Sequence, residues 1–165
     1  MSIAQITETL QHQLKIYEVL LEMEKNKKNL IIKNDILQLN VLTQKEKLFV
    51  AKLEELEHVR QQLTSRYFRD MGFRIRTSLL SEMIRSISNH EEKEQLLRLH
   101  QQLTSLLTEL KQVNALNQQL TNQSLSYLDF SISLMVEDDP NEDVTYQHPM
   151  RMQGNRRNGL FDNRA

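Results

Sequence analysis

The apolar positions of this chain repeat with helical spacing over most of its length. Positions 96, 99, 103, 106, 110, 113, 117, 120, 124, 127, 131 and 134 step by three and four. They read Leu, Leu, Leu, Leu, Leu, Val, Asn, Leu, Ser, Tyr, Ser and Leu. This is a heptad seam on one long helix, predicted from about residue 89 to 136. A helix with a continuous apolar stripe must bury it against another helix, of its own chain or of a partner.

An earlier stripe runs through Ile3, Ile6, Leu10, Leu14, Tyr17 and Leu21. A later one runs through Leu39, Leu42, Phe49, Leu53, Leu56 and Leu63, with Glu46 and Arg60 as polar members. Between them Lys25–Asn29 and Asn34-Asp35 weaken the pattern. Without Pro or Gly there, residues 3 to about 65 are expected to form one long helix with a stutter or bend, extending roughly 90 Å. Gly72 is a plausible helix stop. Leu79, Leu80, Met83, Ile84 and Ile87 suit a short helix, and Ser88 with Glu91 matches a capping box ahead of the seam helix. The expected fold is all-α: an elongated antiparallel helical hairpin or coiled-coil bundle of two long helices and one short one. The pattern leaves open whether the long helices pair within one chain or between two, so a homodimer is one arrangement it allows.

Composition agrees. Of 165 residues only 3 are Gly and 2 are Pro, and 5% are aromatic, which leaves too few turn residues for a β-rich or α/β fold. After Val136 the character changes. Glu137-Asp138-Asp139-Pro140 opens a polar segment without a periodic apolar face. A helical domain over 3–136 and a tail over 137–165, disordered when free, are expected.

The chemistry is sparse. The absence of Cys excludes disulfides and thiolate chemistry. His90 to Glu94 is not an HExxH motif, because position 94 is Glu. The acidic run 137–143 lacks the position-6 Gly of a calcium loop. No catalytic residue, metal ligand or cofactor is expected, and an enzyme finds no support. A net charge of −1 argues against nucleic acid as a partner, although Arg66, Arg69, Arg74 and Arg76 interleave with Tyr67, Phe68, Phe73 and Ile75. That cluster reads best as a helix corner burying its aromatics. No secretory signal and no apolar run of roughly 20 residues occur, so a cytoplasmic protein without membrane insertion is expected.

The end of the seam helix is different. Its main stripe continues at Leu120, Tyr127 and Leu134, and a second one appears at Leu125, Leu128, Ile132 and Met135. Polar seam positions at Asn117, Ser124 and Ser131 accompany a wider apolar surface, enough for two neighbours. Either the other helices of the chain cover it or a partner docks on it.

The chain resembles the FlgN family of flagellar export chaperones. The resemblance rests on Tyr17–Lys25 and Gln44–Leu48 in the first helix, Leu110–Leu120 in the last, and its ending Gln123–Ser131. It implies a cytoplasmic chaperone that binds hook-associated (hook-filament junction) proteins, prevents their premature assembly and delivers them to components of the type III export apparatus. It also implies that cargo binds the C-terminal helix, here Leu120, Leu125, Tyr127, Leu128, Ile132 and Met135. The cargo would supply an amphipathic helix. The alternative is a structural coiled-coil scaffold or adaptor that self-associates.

Overall fold

The computed structural model describes residues 2–72 and 79–137, with the side chains of Ser2 and Glu137 left aside. Among them every regular element is a helix: α1 (Ser2–Ile32), α2 (Ile36–Asp70), α3 (Leu80–Ser86) and α4 (His90–Glu137). Compact packing groups the chain into two units, residues 1–128 and 129–165. The second is described only over the last turns of α4. The expected tail, with Phe73, Arg74, Ile75 and Arg76 of the corner, lies outside the described residues.

The all-α bundle of long helices stands, but residues 3–65 are not one rod. The helix stops at Ile32 and restarts at Ile36. Asn34 takes the left-handed conformation (φ 54), which Asn tolerates better than most residues because its short side chain can bond locally. The Asp35 N–H then reaches the Leu30 carbonyl at 3.0 Å, and the Asn34 N–H that of Ile31 at 3.1 Å, the paired bonds of a left-handed helix stop. The Asp35 side chain caps α2 at once, accepting from the Gln38 N–H at 3.1 Å. Two polar residues thus supply a stop and a start without Gly or Pro.

The break folds α2 back along α1. Ile6 and Leu10 meet Tyr67 and Phe68, Gln13 bonds Glu57, and Lys27 bonds Glu46, so the two helices are antiparallel. Gly72 (φ 76) follows the end of α2 as expected. The long-helix start differs in detail. Asn89, not Ser88, caps α4, accepting from the Glu91 N–H at 3.0 Å and the Glu92 N–H at 3.4 Å.

Two apolar clusters lie within residues 1–128. The first joins all four helices through Ile6, Leu10, Tyr67, Phe68, Met83, Ile84, Ile87, Leu96, Leu99 and Leu103. It confirms the corner reading for Tyr67 and Phe68, whose rings meet edge to face. It also covers the first part of the 96–134 seam, within one chain. The second joins Ile16, Leu20, Met23 and Leu53, with Leu110 of α4 against it. Because Leu96 packs near Ile6 and Leu110 near Leu20, α4 runs parallel to α1.

Polar seam members find partners. Glu57 accepts from Arg60 at 2.6 and 2.7 Å, Gln61 at 2.9 Å and Gln13 at 3.2 Å. The Arg60 guanidinium outweighs partial burial and, with both amides, holds the Glu57 carboxyl at about 2 against an ordinary 4.5. A depressed folded value stabilises the fold above the unfolded value, and that contribution is lost as pH falls toward the folded one. Unfolding free energy from urea titrations should therefore decline between about pH 4.5 and 2, and Glu57→Gln should flatten that decline. At the hairpin, Asn34→Val should cost about 1–2 kcal/mol in the same titrations, whereas Asn34→Gly should be nearly neutral.

Candidate functional site

The site is built on α4 where its companion helix runs out. Asn117 is 3% exposed and donates to the Glu24 carbonyl at 2.8 Å and to Glu24 Oε2 at 2.7 Å. Lys27 bridges Glu24 at 2.7 Å and Glu46 at 2.5 Å. One polar layer therefore ties α1, α2 and α4 together. Burial opposes the charge of Lys27, but its hydrogen bonds to the two carboxylates prevail and raise its pKa. Two carboxylates share one ammonium, and Glu46 bears the consequence. Its burial raises the carboxyl pKa, the pull of Lys27 lowers it, and Glu24 beside it raises it again.

This layer fixes register. Glu24 opposite Asn117 on parallel helices of equal rise places Ile32, the last residue of α1, level with Leu125. At that point lies an open cleft of about 380 Å³, lined by Ile31, Ile32, Asn34, Leu120, Gln123, Ser124, Tyr127 and Leu128. No ionised side chain is among them. The walls are the end of α1 with its turn, and α4.

The structure distributes the expected cargo-binding residues as follows. Leu120 is half-buried and lines the cleft together with Tyr127 and Leu128. Leu125, Ile132 and Met135 do not line it. All three are exposed, as are Tyr127 (71%) and Leu128 (43%), and Met135 is 76% exposed. Phe130, Leu134 and Val136 are exposed too. Among the described residues, no second-stripe side chain is buried by another helix of the chain. The seam thins as its composition suggests, from Leu96 at 0% to Leu134 at 49% exposed. Ser124, Ser126 and Ser133 turn back to their own helix, donating to the carbonyls of Leu120, Asn122 and Asp129 at 2.9–3.0 Å.

Sequence reasoning missed the α1 wall. Ile31 and Ile32 follow a lysine- and asparagine-rich stretch that breaks the stripe. The available signal was Asn34-Asp35, a stop and a cap that would have made Ile32 a helix terminus.

The sequence matches the FlgN family model, described as FlgN protein, over residues 1–154. The chain belongs to the FlgN family of flagellar export chaperones. A relative from Bacillus subtilis (strain 168), the uncharacterized protein YvyG, is 26% identical over 165 residues, covering the whole of both chains. No solved structure matches. No described helix of this FlgN-family chain is long and apolar enough to cross a membrane. Its distinctive local geometry is the Asn117 layer below an exposed apolar helix end. Replacing Asn117 by Ala strips the buried Glu24 carboxylate of a donor. Thermal or urea unfolding should show a loss of about 1–3 kcal/mol, with α4 still helical by circular dichroism.

Proposed function

We propose that this FlgN-family chain acts in the cytoplasm on hook-associated proteins, receiving an amphipathic cargo helix on the C-terminal turns of α4. The observation that carries the reading is the exposure of Leu125, Leu128, Ile132 and Met135 on one helix. Their spacing gives the anchors of helix-in-groove recognition. An apolar surface of this kind is unfavourable in water by roughly 25 cal/mol per Å², and a cargo helix relieves that. Tyr127 and Leu120 extend the surface toward the cleft at Ile31 and Ile32, which offers a place for one further apolar side chain of the cargo. Covering the cargo's own assembly helix keeps it from polymerising before export. Release to the export apparatus requires moderate affinity, and the ordering of a disordered cargo segment lowers affinity in the required sense.

The test is a pull-down of hook-associated proteins by the full chain, by a chain ending at Gln119, and by Leu128→Asp combined with Ile132→Asp. The full chain should capture cargo and the other two should not. Because Leu128 and Ile132 are exposed, the double variant should keep its unfolding free energy within about 0.5 kcal/mol. Unchanged capture by the double variant would refute the reading, and so would a collapse of its helical circular dichroism. A fixed oligomer indifferent to added cargo peptide would favour the scaffold alternative.

A further inference from the structure

The polar layer at Asn117 holds more acceptors than donors. Glu24 Oε1 and Glu46 Oε2 accept from Lys27 Nζ. Asn117 Nδ2 donates to the Glu24 carbonyl and to Glu24 Oε2. Glu46 Oε1 and Asn117 Oδ1 are buried and find no partner among the described residues. The charge falls short in the same sense, because two carboxylates meet one ammonium. The side chains of Glu24, Glu46 and Lys27 are 8%, 11% and 17% exposed, so solvent screens little of the surplus negative charge. A buried acceptor without a donor is costly, and so is a buried charge without a counter-charge. One proton on a carboxyl group removes the charge and supplies a donor at once. A water molecule would supply donors and leave the charge.

Among the described residues, no other side chain round the layer brings the missing positive charge. On α1, Lys25 is held by Glu109 and Glu22 at the surface, and Lys28 is exposed. On α2, Lys45 and Lys47 flank Glu46 in sequence but are exposed. Between Lys111 and Asp129, both exposed, α4 has no charged residue, and it presents Asn117 to the layer. Of the two acids, Glu46 is placed to take the proton. Glu24 accepts at both carboxylate oxygens, whereas one oxygen of Glu46 is unpaired. The Glu24 carboxylate also lies within hydrogen-bond reach of Glu46. Burial of Glu46, with Glu24 beside it, outweighs the pull of Lys27 and holds the Glu46 carboxyl above its ordinary 4.5.

We propose that this layer is a proton-binding site, in which one proton on the Glu46 carboxyl, shared with Glu24, tightens the junction of α1, α2 and α4. The site lies in the packed bundle and needs no cargo, so it stands or falls apart from the reading of the α4 surface. The folded chain keeps a proton that the unfolded chain releases above about 4.5. The stabilisation is therefore complete below that value and is lost as pH rises through the folded midpoint of Glu46. Carbon-13 NMR of the full chain labelled at glutamate Cδ should show Glu46 titrating well above 4.5. Glu24→Gln should move that midpoint down, and Lys27→Met should move it up. In urea titrations between about pH 4.5 and 8, the folding constant of the wild type should fall relative to that of Glu46→Gln, by up to about tenfold per pH unit. The amide in Glu46→Gln donates as the protonated acid would, so this variant should be the more stable protein at about pH 8. A Glu46 that titrates at the ordinary 4.5 overturns the proposal, and the wild-type titration decides this even where a variant fails to fold. So does a Glu46→Gln chain less stable than the wild type at every pH, which is what a plain Lys27–Glu46 ion pair requires.

Discussion

The donation from Asn117 to Glu24 is the contact on which the rest of the arrangement depends. Leucines along a heptad seam can slip by one repeat at little loss, because each finds another leucine. An amide that must meet one carbonyl and one carboxylate cannot slip. The layer is not fully satisfied: Asn117 Oδ1 and Glu46 Oε1 are buried without a protein partner. Such a layer is a poor source of net stability, since desolvation of its charges offsets much of their attraction. Its physical product is register. With α4 fixed against α1 at Glu24, α1 ends level with Leu125, and the apolar side chains that follow are exposed.

The same constraint separates two roles along α4. Leu96, Leu99 and Leu103 supply core. From Leu125 onward the side chains supply surface. The serines between the late apolar positions satisfy themselves on their own backbone, as Ser124 does on Leu120 and Ser126 on Asn122. They ask nothing of a neighbouring helix and leave the spaces between apolar side chains shallow. Hydroxyls bonded back to the preceding turn also soften a helix slightly.

Much of this was legible in the residues. The seam from Leu96, the short helix at Met83 and Ile84, and the corner aromatics Tyr67 and Phe68 declare themselves by apolar spacing, and burial follows it. What was not legible has one cause. Periodicity reports which face is apolar but not where a helix turns back. Asn34 takes a left-handed conformation usually supplied by Gly, so the absence of Gly and Pro gave a false continuity from Ile3 to Leu63. That error hid the antiparallel hairpin and with it the cleft wall at Ile31 and Ile32. Asn89 displaced Ser88 as the cap of α4 by a single position, within the resolution of any local pattern. As for the site, the exposed end of α4 follows from its doubled stripe, whereas the register that exposes it requires knowing where Asn117 points.

A helix that presents an apolar face to solvent needs its helicity from elsewhere. The last turns of α4 are rich in serine and aromatic or β-branched residues, at Ser126, Tyr127, Phe130, Ser131, Ile132 and Ser133, which are mediocre helix formers. As an isolated peptide they would rarely nucleate. Here they continue a helix already nucleated at Asn89 and anchored by Leu96 to Leu103, so each added residue faces only propagation. The exposed turns are therefore ordered as a continuation of the packed helix. That division explains why so long a helix is retained when half of it would complete the core. The buried half holds the exposed half in shape, and the Asn117 layer is the point at which one passes into the other.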